Sequence, residues 1–310
     1  MNYIDRVRQK VFENLWQNYF RHVEFAPTIE KALTDRGDPW VEDHVAFRCL
    51  PGSHCGSHVL KEIFAIMGYE EKDTYRFEEK SLDAFWMAPP NTKGAFDDAS
   101  PKVFISELDL SKFDQPFKDV VTKYSNQVNE NQLSRLQNLR ELAHKGDQQA
   151  EAKLISTITH ILTAPPPWQR PTIADYEVLK SQSEYASWTL LFGSQVNHFT
   201  VSAHSLGSFH NIQQLYDYIR DDLSIPMNSA GGEIKGTSET KLEQISTMAS
   251  KIPFLFQDGE EVVPYGFVEF AYRYPKDQQQ ADKNWDSYFQ GFVAANANKI
   301  FESTFTGSGK

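Results

Sequence analysis

Four short stretches of the chain carry residues that could do chemistry. In "NHFTVSAH" (197–204), read as a strand, His198, Thr200, Ser202 and His204 fall on one face, because side chains alternate along a strand. The same alternation groups His44, Ala46 and Arg48 in "DHVAFRCL" (43–50), and Phe267, Glu269, Ala271 and Arg273 in "YGFVEFAYRY" (265–274). In "KLEQISTMA" (241–249), Gln244, Ser246 and Met248 line one side. A buried strand face usually carries Val, Ile or Leu. A carboxylate between Phe267 and Ala271 is costly to bury unless it is paired or metal-bound. Two imidazoles and one carboxylate, each from a separate strand, make the ligand set that holds non-haem Fe(II) with positions left open. His44, His198 and Glu269 are one such set, although by spacing alone any three strands can supply it.

Each piece has a plainer reading. A single strand histidine is more often a hydrogen-bonded core residue, and Glu269 could pair with Arg273 or Arg48. Arg48 could be a solvated edge residue. His204 reads as pocket lining or as a partner of a ligand, with a surface position as the alternative. The common inward polar phase of three strands favours the metal reading.

Other constellations are weaker. Cys49, His54, Cys55 and His58 form a compact cluster, but the spacing matches no zinc-finger pattern. In "GGEIKGTSET" (231–240) Lys235 precedes Gly236, so the order of a phosphate-binding loop is missing, and the stretch reads as a mobile loop over the pocket. No G-x-S-x-G elbow occurs, so a serine hydrolase is not supported.

The elements that must position these residues follow from periodicity. The first thirty-odd residues have a helical period, "HVAFRCL" is a strand, and "HVLKEIFAIMGYE" is a helix that stops at Gly68. "YRFEEKSLDAFWMAPP" and "KVFISELDL" read as strands. Residues 111–190 are rich in helix formers, interrupted by the stiff "TAPPPWQRP". A second strand, helix and two strands then follow. The expected fold is therefore α+β: two β-α-β-β-type modules (40–110 and 191–275) forming one cupped sheet, with a helical insert (111–190), in a single compact unit over 1–310. The insert is expected to close the open side of the cup.

Bulk properties exclude some classes. The 31 Lys and Arg against 42 Asp and Glu give a net charge of −11, which repels nucleic-acid phosphate. No apolar run approaches a membrane span. Two cysteines make no disulfide framework, and the N-terminus reads as an amphipathic helix rather than a signal peptide, so the expected compartment is the cytoplasm.

"DHVAFR", "YASWTLLFGSQVNHFT", "IKGTSETKLEQISTMA" and "PYGFVEFAYRY" together resemble the motifs of the 2-oxoadipate dioxygenase/decarboxylase family, in the expected order from about His44 to Tyr274. That family is related in fold to the vicinal oxygen chelate superfamily, and more distantly resembles hydroxyphenylpyruvate dioxygenase and hydroxymandelate synthase. The resemblance implies His44, His198 and Glu269 as Fe(II) ligands and Arg48 as the cation that grips a substrate carboxylate. Gln244, Ser246 and His204 are expected to line the substrate pocket. The implied reaction joins 2-oxoadipate with O2 to give 2-hydroxyglutarate and CO2, in lysine catabolism. The alternatives are a zinc or manganese lyase, isomerase or hydrolase of the same fold, and a non-catalytic module that binds a small acid, with Glu269 and Arg48 as an ion pair.

Overall fold

A computed structural model describes residues 2–90, 100–277, 284–300 and 304, apart from the side chains of 297–299. Helix α1 (Tyr3–His22) is capped by Asn2, whose side chain accepts from Asp5 N, and buries Val7, Val11, Leu15 and Tyr19 along one stripe. The helical N-terminus breaks after His22, and α2 (Phe25–Thr34) follows.

The first module is β1 (Glu42–Cys49), α3 (Ser57–Ile66), β2 (Glu70–Phe77), β3 (Leu82–Ala88) and β4 (Lys102–Leu108). Gly68, at φ 80°, supplies the left-handed residue that ends α3 and turns the chain into β2. The insert carries α4 (Gln115–Ser125), α5 (Leu133–His144), α6 (Gln148–Thr163), α7 (Ile173–Lys180) and α8 (Glu184–Phe192). The second module is β5 (Val196–Ser202), α9 (Ile212–Asp217), β6 (Lys235–Thr237), β7 (Leu242–Ser246), a separate hairpin β8 (Lys251–Leu255) and β9 (Glu260–Pro264), and β10 (Phe267–Arg273). Helix α10 (Ala294–Ile300) lies near the C-terminus. No described helix is long and apolar enough to cross a membrane.

Eight strands form one curled sheet in the order β2-β3-β4-β1-β5-β10-β7-β6. The two halves mirror each other: β1 pairs in parallel with β4, β5 in parallel with β10, and β1 meets β5 antiparallel at the centre. One face of this sheet is the core. Trp16 of α1 packs edge-on to Phe199 with centroids 4.4 Å apart, and Phe64 of α3 meets Phe47 at 5.2 Å. The opposite strand phase, which carries His44, His198 and Glu269, therefore faces the concave side.

Two expectations change here. The "GGEIKGTSET" stretch is not wholly a loop, because Lys235–Thr237 pairs with β7 as an edge strand. The insert does not cover the concave cavity, since none of that cavity's lining residues comes from 111–190. Its helices pack on α1, α3 and β1, and Tyr185 and Trp188 of α8 flank the Arg48 guanidinium. The cover is the C-terminal segment: Phe292 and Ile300 line the cavity, and α10 touches both edge strands, β2 and β6.

Candidate metal centre

Three strands bring His44, His198 and Glu269 to one point. Their ligand atoms lie within 4.8 Å of one another, and they are the one group of three or more His, Cys, Asp or Glu side chains among the described residues that could share an ion. Glu269 Oε2 stands 3.2 Å from His198 Nε2, and Oε1 stands 3.7 Å from His44 Nε2. All three side chains are buried.

Each histidine is oriented by the residue before it. His44 Nδ1–H donates to Asp43 Oδ1 at 2.8 Å, and His198 Nδ1–H donates to Asn197 Oδ1 at 3.0 Å. A carboxylate can only accept, so the proton sits on Nδ1 of His44 and the Nε2 lone pair faces the centre. The Thr200 hydroxyl, 3.1 Å from that Nε2, is a rotor that can turn away when an ion is bound. Burial pushes the His198 pKa down against the opposing pull of Glu269, which keeps the ring neutral and ready to ligate. Burial alone would raise the Glu269 carboxyl, but the hydrogen bond with His198 and the neighbouring His44 and Gln244 hold it below the usual carboxylate value. The donor set, its tautomers and its charge fit a divalent first-row metal.

Behind the histidines lies a buried network that sequence reading did not identify. Arg273 grips Asp43 with two bonds, Nε to Oδ2 at 2.6 Å and Nη2 to Oδ1 at 2.8 Å. Lys102 Nζ stands 3.9 Å from Asp43 Oδ2 and 3.9 Å from the Trp285 ring centroid. Burial opposes ionisation of Asp43, but Arg273 and Lys102 outweigh it and hold the carboxyl well below its usual range. Arg273 thus serves Asp43 rather than Glu269. The sequence signal was the repeated position, Asp before one strand histidine and Asn before the other.

Arg48 and Gln244 line the same cavity as the triad. The Arg48 guanidinium lies 5.1 Å from the Tyr185 ring centroid and 5.2 Å from that of Trp188, and its Nη2 donates to Thr304 Oγ1 at 3.3 Å. Gln244 Nε2 donates to Glu269 Oε1 at 2.5 Å. The other two expected pocket residues are elsewhere. β5 ends at Ser202, and a 3-10 turn over Ala203–Ser205 takes His204 out of the strand alternation. Its ring stacks on Trp285, and Nδ1 accepts from Arg273 N at 3.3 Å. Ser246 pairs directly with Glu269 across β7 and β10, but Asn228 lies over it, with Nδ2 3.4 Å from Oγ. Neither lines the cavity.

The remaining walls are apolar. Phe104 and Phe292 meet at 4.9 Å, and Phe292 stands 4.8 Å from the His44 ring. With Phe292 and Ile300 in place, the free space is about 30 Å³, room for one water.

A cupped sheet of two mirrored modules, with a buried His-His-Glu group at their seam, has the vicinal oxygen chelate architecture and a donor set that fits a metal. The sequence model of the 2-oxoadipate dioxygenase/decarboxylase family matches residues 9–290. The chain is 32% identical to the rice 2-oxoadipate dioxygenase/decarboxylase, with 97% of this chain and 79% of that protein covered. It is 33% identical to the enzyme of the same description from Arabidopsis thaliana, over 85% of this chain and 68% of that one. Among solved structures it is similar to the Oryza sativa hydroxyglutarate synthase in complex with 2-oxoadipate, with a TM-score of 0.79, 30% identity, and 98% and 93% of the two chains covered. The chain belongs to the 2-oxoadipate dioxygenase/decarboxylase family.

Proposed function

We propose that this protein is an Fe(II)-dependent dioxygenase that converts 2-oxoadipate and O2 to 2-hydroxyglutarate and CO2, a step of lysine catabolism. The observation that carries the reading is the His44–His198–Glu269 group sharing one cavity with Arg48. The curated relatives are described as 2-oxoadipate dioxygenase/decarboxylases, and the rice structure as a hydroxyglutarate synthase in complex with 2-oxoadipate.

The atoms balance without a further reductant. The bond between the first carboxyl carbon and the keto carbon breaks, and that carboxyl leaves as CO2. One oxygen of O2 completes the new carboxylate at the former keto carbon, and the other becomes the hydroxyl on the neighbouring carbon. Fe(II) held by the triad supplies the redox chemistry that O2 needs.

The chain's own residues do the rest. Arg48 grips the remote carboxylate with two parallel N–H bonds, which fixes the acid end to end. Its place four residues after His44 puts it on the same strand face, about 13 Å further along the backbone, and both side chains lean into the cavity. Burial lowers the Arg48 pKa, and Glu184 and Tyr185 nearby oppose that shift. Asp43 and Asn197 accept the Nδ1–H of the two imidazoles and so turn both Nε2 atoms toward the centre. Phe104, Phe292 and Ile300 line the cavity with apolar surface, which keeps bulk water from the centre.

The test is anaerobic loading with Fe(II), then oxygen uptake with a series of 2-oxo acids. 2-Oxoadipate should be consumed one-to-one with O2, and 18O2 should place one atom in the new hydroxyl and one in the new carboxylate. Turnover of 2-oxoadipate at full rate without O2 would overturn the assignment.

A further inference from the structure

We infer that Asn296, on the C-terminal helix, is a positioning residue for the metal centre, acting through Gln244 on the carboxylate of Glu269. The inference rests on His44, His198 and Glu269 being the metal ligands. Asn296 is buried, and its Nδ2 donates to two acceptors, Leu242 O at 3.2 Å and Gln244 Oε1 at 3.0 Å. Gln244 in turn donates through Nε2 to Glu269 Oε1 at 2.5 Å.

The direction of this chain of bonds is set by the backbone. A main-chain carbonyl can only accept, so the Leu242 carbonyl fixes which end of the Asn296 amide faces β7. The second hydrogen of that NH2 group then requires the Gln244 oxygen. This leaves the Gln244 NH2 group for Glu269. Two amides that could each have been flipped are locked in one sense by a single carbonyl.

An independent feature shows that the contact is built in. Gly236 of β6, at φ 91°, lies where a Cβ would overlap both Leu242 O and Asn296 Nδ2. A glycine at this edge-strand position is what lets α10 reach the strand backbone. The consequence is that Oε1 of Glu269 is held by a donor, which restrains how the carboxylate turns toward the two imidazoles.

The experiment titrates the metal-free full chain with Co(II) and reads both affinity and the visible ligand-field spectrum. Asn296→Asp replaces the donor by an acceptor, so Gln244 is drawn to turn its NH2 away from Glu269. Co(II) affinity should fall about tenfold or more, the range for a lost partner of a metal ligand, and the spectrum should change. Gln244→Met should weaken binding similarly. Adding Asn296→Asp to Gln244→Met should then cost little more, because the connection is already cut. Should Asn296→Asp fail to fold, Asn296→Ala, which favours the helix, serves in the same cycle.

Binding within twofold of the parent, with an unchanged spectrum, would overturn the inference. So would additive losses in the double variant, which mark a role in stability alone. If the parent chain itself takes up no Co(II) or Fe(II), the metal reading fails, and the relay fails with it.

Discussion

Asp43 and Asn197 occupy the same position in the two modules: each directly precedes a strand histidine and accepts that histidine's Nδ1–H, at 2.8 and 3.0 Å. The pair is equal in geometry and unequal in charge. Asp43 also anchors Arg273 in the core, with both side chains fully buried, and it has Lys102 nearby. Asn197 is neutral and carries no ion pair among the described residues.

That inequality separates two variants. Asp43→Asn removes the only carboxylate described between two buried cations, so the metal-free protein should lose about 3–5 kcal/mol of stability, the cost of breaking a buried pair from one side. Asn197→Ala should lose much less stability while weakening metal binding by roughly 10- to 100-fold. Urea unfolding of the metal-free chains and metal titration of the folded ones check both. Equal stability losses would show that the Asp43 network is not held by charge.

Much of the site was legible because alternation in a short strand is strict. Once β1, β5 and β10 are recognised, the phase of His44, His198 and Glu269 follows, and so does that of Arg48. His204 fell outside this logic, since β5 stops two residues before it and a turn resets the direction of the side chain. Ser246 had the right phase, but phase does not reveal that Asn228 from another segment lies over it. The hairpin β8–β9 and the three-residue β6 carry too few residues for a period to show. The cover of the cavity was also missed: Asn296 and Ile300 have the four-residue spacing of one helix face, but Phe292 precedes α10 and joins them only through the fold. Asn296 bonds to Leu242 and Gln244, and Phe292 packs on His44, each 50 or more residues away, and local patterns do not encode that pairing.

Arg48→Lys keeps the charge and removes the fork. If the remote carboxylate is held by two parallel bonds, kcat/KM for 2-oxoadipate should fall by about 1.5–3 kcal/mol, roughly ten- to a hundred-and-fifty-fold. Metal affinity should stay as it was, because Arg48 bonds to none of the three ligands in the described contacts. Steady-state kinetics across 2-oxo acids check this. A monocarboxylic 2-oxo acid should lose far less than 2-oxoadipate does, and equal losses would exclude Arg48 as the carboxylate grip.

Glu42 predicts a pH effect on stability. It is half-buried at the start of β1, and burial, with Glu30 nearby, pushes its carboxyl up to about 7. A carboxyl whose pKa is raised by folding binds more protons in the folded state than in the unfolded one. Its contribution to stability is therefore present at low pH and lost as pH rises from the unfolded value near 4.5 through about 7. Glu42→Gln cannot ionise, so relative to the parent it should gain about 1–2 kcal/mol at pH 8, after discounting for partial exposure, and almost nothing at pH 4.5. Chemical unfolding at the two pH values measures the difference. A gain independent of pH would place the cause in packing.

Phe104 tests why the candidate centre gathers three donors rather than four. In the first module His44 pairs with Lys102 and Ala46 with Phe104, while in the second His198 pairs with Phe267 and Thr200 with Glu269. Phe104 thus stands at the position of β4 that Glu269 holds in β10, and both side chains line the cavity. Where one module supplies a carboxylate, the other supplies a phenyl ring, which keeps one side of the centre apolar and free for the substrate. Phe104→Glu would restore the missing half. Without metal, the buried carboxylate should destabilise the protein by a few kcal/mol. With metal, part of that loss should return, since a fourth anionic donor binds only in the folded state, and metal affinity should rise. Turnover of 2-oxoadipate should fall to background at the same time, because the new carboxylate fills the side the acid needs. Phe104→Leu, which keeps that side apolar, should retain most of the activity. Thermal melts with and without metal, together with oxygen uptake, read all three effects. If Phe104→Glu loses metal as well as activity, the mirrored positions are not equivalent, and the open side of the centre lies elsewhere.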